Sequence, residues 1–131
     1  MANSSHLDWP FLEPRHKALA MDLDRWASRV LSAELLKDHT VRAVDDACRK
    51  LVRQLGEGGW LKYAIGGSAY GASADTIDTR AVCLIRETLA RHSGLADFTF
   101  AMQGLGSGAI SIFGSHEQKQ RYLSRVAGGE V

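Results

Sequence analysis

The chain has 131 residues, 45% of them hydrophobic and 24% charged, with a formal net charge of +1. This length and composition are typical of a single globular domain. The near-neutral charge gives no indication of a nucleic-acid or membrane-surface partner. No stretch reaches the roughly 18 apolar residues that a membrane-spanning helix needs.

The beginning of the chain has no basic segment followed by an apolar run, so it does not resemble a signal peptide. Residues 1–8 are therefore predicted to be a flexible tail, and residues 9–131 a domain. Cys48 and Cys83 occur in helical patterns at core-like spacing, and they match neither a disulfide framework nor a zinc site. We expect a reduced, cytoplasmic protein.

Periodic apolar residues predict two helices in the first half of the chain, over residues 11–31 and from Asp38 or Thr40 to Leu55. Gly56 follows the second helix, where a left-handed C-cap is common. The apolar stripes that carry these predictions are Leu19, Leu23, Trp26 and Val30 in the first helix, and Val41, Val44, Cys48, Leu51 and Leu55 in the second.

A long glycine-rich loop is predicted over residues 56–73, followed by a third helix that begins near Asp75, an N-cap candidate, and ends at His92. Asp78 is expected in the first turn of that helix, where a carboxylate stabilises the N-terminus. Its predicted buried face consists of Ile77, Ala81, Leu84, Ile85 and Leu89.

A fourth helix over residues 96–113 and a fifth that begins with a capping box at Ser115 complete an all-α, up-and-down bundle of about five helices. The fourth helix has no charged residue after Asp97, and Gly104, Gly106 and Gly108 lie inside it. Each glycine costs about 1 kcal/mol relative to alanine. We therefore expect this helix to be buried on most sides, with another element packed against its backbone.

The sequence contains no self-contained catalytic or metal site. The glycine run 104–108 lies inside a predicted helix, whereas a dinucleotide loop follows a strand. The run 66–71 lacks the lysine of a nucleotide loop. His16, His39, His92 and His116 have no metal-ligand spacing, and His16 is expected to be partly buried and hydrogen-bonded. Adjacent carboxylates do not share a helix face.

Several segments, taken together, resemble the N-terminal helical domain of acyl-CoA dehydrogenases. Residues 112–123, IFGSHEQKQRYL, are similar to the family's G-T/S-x-E-Q-K-x-x-Y-L. Residues 55–61 resemble the end of its second helix, 85–91 its E-E-L-A-R helix and 128–130 its A-x-G-E. Tyr70-Gly71 resembles part of its Y-G-G segment, although the Pro-Glu that usually precedes that segment is absent. The resemblance covers residues 9–131.

This resemblance implies the helical domain of an FAD-dependent enzyme that dehydrogenates acyl thioesters at the α and β carbons. The sequence ends before the family's T-E-P-x-A-G-S-D segment and β-domain, so the flavin contacts and the catalytic base are expected from middle and C-terminal domains or a partner chain. No catalytic, cofactor or metal residue is expected here. By position, the fourth helix is the expected wall of the acyl pocket, through Phe98, Ala101, Met102 and Leu105.

Two other functions remain open from the sequence. One is a freestanding, non-enzymatic helical module that binds a partner or forms a homo-oligomer. The other is part of a related flavoenzyme, such as an oxidase, a monooxygenase or a dehydrogenase of acyl groups on a carrier protein. If the chain is instead the helical domain of the dehydrogenase, the isolated domain is expected to expose an apolar surface for the middle and C-terminal domains, and the fourth helix is the candidate for that surface.

Overall fold

A computed structural model describes residues 4–31 and 40–131, and these residues form five α-helices and no β-strand. The helices are α1 (Pro14–Val30), α2 (Val41–Glu57), α3 (Thr79–His92), α4 (Gly94–Phe113) and α5 (His116–Gly128). α3 packs against α1 and α4, and α4 also contacts α2 and α5. The predicted all-α fold is confirmed.

The core lies where these helices meet. Its largest fully buried side chains come from every helix and from the segment after α2, and they include Leu23, Leu55, Leu61, Ile85, Leu89, Phe100 and Leu123. The expectation that both cysteines are core-like is wrong for Cys83, which is exposed, whereas Cys48 is half-buried. Cys83 lies on the face of α3 opposite its buried leucines, since Ala81, Leu84 and Ile85 take the inward positions.

Side-chain caps define most helix starts. Ser115 and Gln118 form the predicted capping box of α5. Thr40 caps α2 by accepting from Ala43 N at 3.3 Å, and the alternative start at Asp38 lies outside the described residues. Ser93 caps α4, so that helix begins two residues before the prediction.

The predicted N-cap of α3 at Asp75 is wrong, and Asp78 takes that position. The Oδ1 atom of Asp78 accepts from Arg80 N at 3.1 Å and from Ala81 N at 3.3 Å. Asp75 instead accepts from the backbone N–H and the hydroxyl of Ser68, so its carboxylate closes the preceding loop. Asp75 and Asp78 are both suited to capping and lie three residues apart. Because Asp75 binds Ser68, Asp78 is the residue that caps α3.

Gly56 does not end α2 in a left-handed conformation, because the helix continues to Glu57 and Gly59 has the positive φ of 73°. A Cβ on Gly56 would press against the carbonyl of Gly128 and lie 2.6 Å from the Cα of Gly129. Glycine at this position therefore permits a close crossing of α2 and the end of α5, and the predicted C-cap is wrong.

The connection from α2 to α3 contains two short 3₁₀ turns, Leu61–Tyr63 and Ser68–Tyr70. Leu61 and Ile65 are buried, so apolar side chains anchor this connection to the helices. Backbone hydrogen bonds from Gly67 N to Ala74 O and from Ser73 N to Lys62 O fold it back on itself.

The N-terminal segment also contacts the helices. Ser5–Asp8 forms a 3₁₀ turn, His6 Nε2 lies 3.2 Å from a carboxylate oxygen of Glu87, and Asp8 pairs with Lys17 at 2.6 Å. Flexibility of residues 1–8 stays a prediction, and residues 1–3 lie outside the described part of the chain.

Candidate functional site

The candidate site is the outer face of α4 together with a groove beside it. The helix is fixed at its N-terminus, where Ser93 Oγ accepts from Ala96 N at 3.2 Å. Arg86 of α3 then holds Asp97 through two hydrogen bonds of 2.8 and 3.0 Å. The hydrogen bond to Asp97 raises the pKa of Arg86. This bidentate pair joins α3 to α4.

Only one side of α4 is buried. Ala96, Thr99, Phe100 and Ser107 are its buried residues. The opposite side exposes a stripe of large apolar side chains: Phe98, Met102, Leu105 and Ile112 follow at spacings of four, three and seven, and Phe113 adjoins Ile112. The exposed fractions are 57% for Phe98, 46% for Met102, 74% for Leu105, 63% for Ile112 and 86% for Phe113.

The expectation that α4 is buried on most sides is therefore wrong within this chain. A Cβ on Gly106 or Gly108 would have no neighbour within 4 Å, so no packing in the described chain requires glycine at either position. A Cβ on Gly104 would make an ordinary van der Waals contact, 3.6 Å from the carbonyl oxygen of Ala64. The hydrophobic, glycine-containing sequence had indicated burial, but most of the apolar surface faces outward.

The four residues predicted to line a pocket lie on adjoining surfaces. Ala101 and Leu105 line a groove of about 270 Å³ between α3 and α4, and Phe98 and Met102 belong to the exposed stripe. Leu105 belongs to both surfaces and joins them. The other groove residues are Ala64, Ile77, Val82, Arg86, Phe100 and Gly104. Sequence position missed Ala64 and Ile77, which the α2–α3 connection brings to α4.

The groove offers apolar contacts and little free charge. Its guanidinium group, on Arg86, already donates to Asp97 from Nε and Nη2. The remaining lining side chains are aliphatic or aromatic, with Gly104 leaving the groove open. Such a surface can hold a hydrocarbon chain by burial of apolar area, but it supplies no acid, base or nucleophile.

A separate polar cluster joins the N-termini of α1 and α3. His16 is 1% exposed, its Nδ1 accepts from Glu13 N at 2.9 Å, and its Nε2 lies 2.9 Å from Asp78 Oδ2. The expectation of a hydrogen-bonded histidine is confirmed. Because the backbone donates to Nδ1, the neutral ring carries its hydrogen on Nε2 and donates it to Asp78.

The carboxylates in this cluster are held ionised. Burial acts to raise the pKa of Asp78, but the hydrogen bond from His16, the backbone N–H of Ala81 and the charge of Arg15 outweigh it and hold that pKa at about 2. Hydrogen bonds from Arg15 and then Arg80 lower the pKa of Glu13 to about 2 as well. Every member is engaged inside the cluster, so we interpret it as a structural joint between two helices.

The other described histidines have single polar partners. His92 contacts Asp24 at 2.8 Å, His116 contacts the hydroxyl of Tyr70 at 2.7 Å, and His39 lies outside the described residues. Across residues 4–31 and 40–131 no group of three or more His, Cys, Asp or Glu side chains could hold a metal ion. Within the same ranges no helix is long and apolar enough to cross a membrane.

Comparison with known protein families gives a match over most of the chain. The sequence model of the family described as acyl-CoA dehydrogenase, N-terminal domain, matches residues 13–130, which is nearly the whole chain. No curated protein is detectably similar to the chain.

Proposed function

The chain belongs to the acyl-CoA dehydrogenase N-terminal domain family, and from that membership we propose that it is the helical domain of an FAD-dependent enzyme that dehydrogenates acyl thioesters. Residues 9–131 form this domain in the proposal, in a cytoplasmic enzyme. The domain is not catalytic alone, because the middle and C-terminal domains, on the same or another chain, supply the flavin contacts and the catalytic carboxylate.

The observation that carries the proposal is the exposed stripe of α4. Its five large side chains remain uncovered by the described residues, and no charged residue interrupts them after Asp97. Gly106 and Gly108 lower the stability of the helix without serving a contact in the described chain. Both features are accounted for if another domain packs closely along this face.

Within the stripe, we assign the N-terminal half to the acyl group and the C-terminal half to domain docking. Phe98, Met102 and Leu105 lie next to the groove that Ala101 and Gly104 keep open, and all of these surfaces are apolar. Phe113 is the most exposed of the five and lies at the far end of the helix, which suits contact with another domain. The thioester substrate is an acyl-CoA or an acyl group on a carrier protein.

The described residues do not by themselves fit a flavin. A phosphate-binding loop needs free backbone N–H groups, whereas the glycine run 104–108 lies inside α4, where those groups are used by the helix. In the other glycine-rich run, Gly66 N donates to Ser111 Oγ, Gly67 N to Ala74 O and Ser68 N to Asp75. FAD therefore belongs to the other domains in this proposal.

The test combines the chain with the middle and C-terminal domains that the proposal requires. The chain is mixed with the middle and C-terminal domains of an acyl-CoA dehydrogenase produced without its helical domain, and three quantities are measured: association, visible flavin absorbance and acyl-CoA-dependent reduction of an electron acceptor. We expect activity only from the mixture. If the mixture is active with an acyl carrier protein thioester but not with acyl-CoA, the substrate is an acyl group on a carrier protein.

A matched pair of variants locates the site. Met102 and Met21 are similarly exposed, 46% and 52%, on α4 and α1. Met102→Asp should abolish most of the acyl-CoA-dependent activity, whereas Met21→Asp should leave it unchanged. Equal effects of the two variants, or failure of the chain to associate with the other domains, would contradict the proposal. A chain that instead forms dimers abolished by Phe113→Asp would identify a freestanding interaction module.

A further inference from the structure

A second cavity, of about 250 Å³, lies between the N-terminal segment and α3. One wall consists of residues 6, 9, 11 and 12, all of which precede the 13–130 match to the family. It shares no lining residue with the groove beside α4. The matched range therefore does not include this wall, and we call the cavity the N-terminal cavity.

Aromatic rings form one side of the N-terminal cavity. His6, Trp9 and Phe11 follow one another around it, with ring centroids 6.2 Å apart for the first pair and 5.6 Å for the second. The interplanar angles are 75° and 60°, so the rings meet at steep angles rather than stacking flat. Trp9 and Phe11 are 54% and 56% exposed, which leaves much of their surface open to a ligand.

The charges around the cavity balance, and its lining includes one carboxylate, on Glu87. Glu87 lies at the rim with 49% of its side chain exposed. Arg80, the cation of the lining, is already bound by the carbonyl of Phe11 at 2.8 Å and by Glu13 at 2.6 Å. Arg15 also binds Glu13, so three carboxylates and three cations balance around the cavity: Asp8, Glu13, Glu87, Arg15, Lys17 and Arg80.

We propose that the N-terminal cavity binds a methylated, quaternary ammonium group. The faces of tryptophan and phenylalanine attract cations, and this attraction increases when water is excluded. A primary ammonium group would need three hydrogen-bond acceptors, which the mostly apolar lining does not offer. A quaternary ammonium group needs none, and its methyl groups pack against Leu12, Leu84 and the rings while Glu87 balances its charge.

The experiment compares choline with dimethylbutanol, its neutral carbon isostere, on the full chain. Binding is followed by the broadening and upfield shift of the ligand methyl resonance in proton NMR, with sodium chloride added to equalise ionic strength. We expect saturable binding of choline and at least about fivefold weaker binding of the isostere, as loss of a cation–π attraction requires. Equal binding of the two would show an apolar pocket without cation recognition and would overturn the proposal, as would no saturable binding of choline.

Two variants and one control test whether choline binds in the N-terminal cavity. Trp9→Ala and Glu87→Gln should each weaken choline binding by about threefold or more. Glu117→Gln removes the same charge from an exposed position on α5 and should leave binding unchanged. Thermal unfolding of each variant checks the fold, and Glu87→Gln keeps the test decisive if Trp9→Ala fails to fold. Equal binding by Glu87→Gln and the parent chain would contradict the charge assignment.

Discussion

Alanine substitution at two helical glycines should change stability in opposite directions. Gly56 lies in α2 and Gly106 in α4, and both have helical backbone conformations without positive φ. Alanine at Gly106 would place its Cβ in open space, so only the helix propensity changes. We expect Gly106→Ala to raise the free energy of unfolding of this chain by about 1 kcal/mol.

At Gly56 the same methyl group meets backbone that cannot rotate away. The added Cβ would press against the carbonyl of Gly128 and lie 2.6 Å from the Cα of Gly129. Backbone must shift here, so moving the end of α5 outward costs about 2–3 kcal/mol, the upper part of the range for an overpacked core, and the propensity gain of about 1 kcal/mol offsets part of it. We expect Gly56→Ala to lower the free energy of unfolding by about 1–2 kcal/mol.

Urea unfolding followed by circular dichroism measures both variants against the parent chain. The two should differ by about 2–3 kcal/mol, well beyond the error of comparing midpoints at constant m. Gly106→Ala should also weaken association with the middle and C-terminal domains, because the added methyl group occupies the docking face. If both substitutions stabilise the chain, the close crossing of α2 and α5 is not a constraint, and the reasoning fails. If Gly106→Ala destabilises it, α4 is covered by this chain itself.

Three further predictions concern pH, exposure and capping. The pKa of Asp78 is depressed to about 2, so its contribution to the free energy of unfolding, at most about 2 kcal/mol, is present above the unfolded pKa near 3.8 and is lost as pH falls toward 2. Over this pH range Asp78→Asn should lose less stability than the parent chain, and equal losses would refute the assignment. Phe113→Asp should change the free energy of unfolding by less than about 0.5 kcal/mol, since the side chain is 86% exposed. The variant should also reduce the fluorescence of a bound apolar dye. A large loss of stability on unfolding would place Phe113 in the core. Ser115→Ala removes the acceptor for Gln118 N, at 3.2 Å, and should cost about 1 kcal/mol by urea unfolding, whereas no change would mean that the capping box is not formed in solution.

Local patterns in the sequence predicted the helices well and their ends less well. The stripe of Leu19 and Leu23 in α1 and the capping box at Ser115 depend on neighbours within a few residues, so they can be read from the chain itself. The choice between Asp75 and Asp78 as the cap of α3 could not, because the hydrogen bond from Ser68 to Asp75 is formed only when the loop folds back.

The site was predicted in part. The resemblance to a family directed attention to Phe98, Ala101, Met102 and Leu105, and their roles stay proposals. Sequence reasoning did not find Ala64 and Ile77 in the groove beside α4, since both come from the connection before α3. It also left Trp9 and Phe11 unassigned, because their common cavity exists only where the N-terminal segment lies against α3. Three aromatic residues within six positions were a signal that could have been followed.

The helical character of the chain, its family resemblance and the start of α5 can be predicted from the sequence, because helix periodicity, short motifs and capping are properties of residues close together in the chain. What each apolar or small residue faces depends on the packing of the whole domain. Gly56 and Gly106 are chemically identical residues in helices, yet one lies against the end of α5 and the other meets open space. That difference depends on distant segments brought together in the fold, and no local pattern contains it.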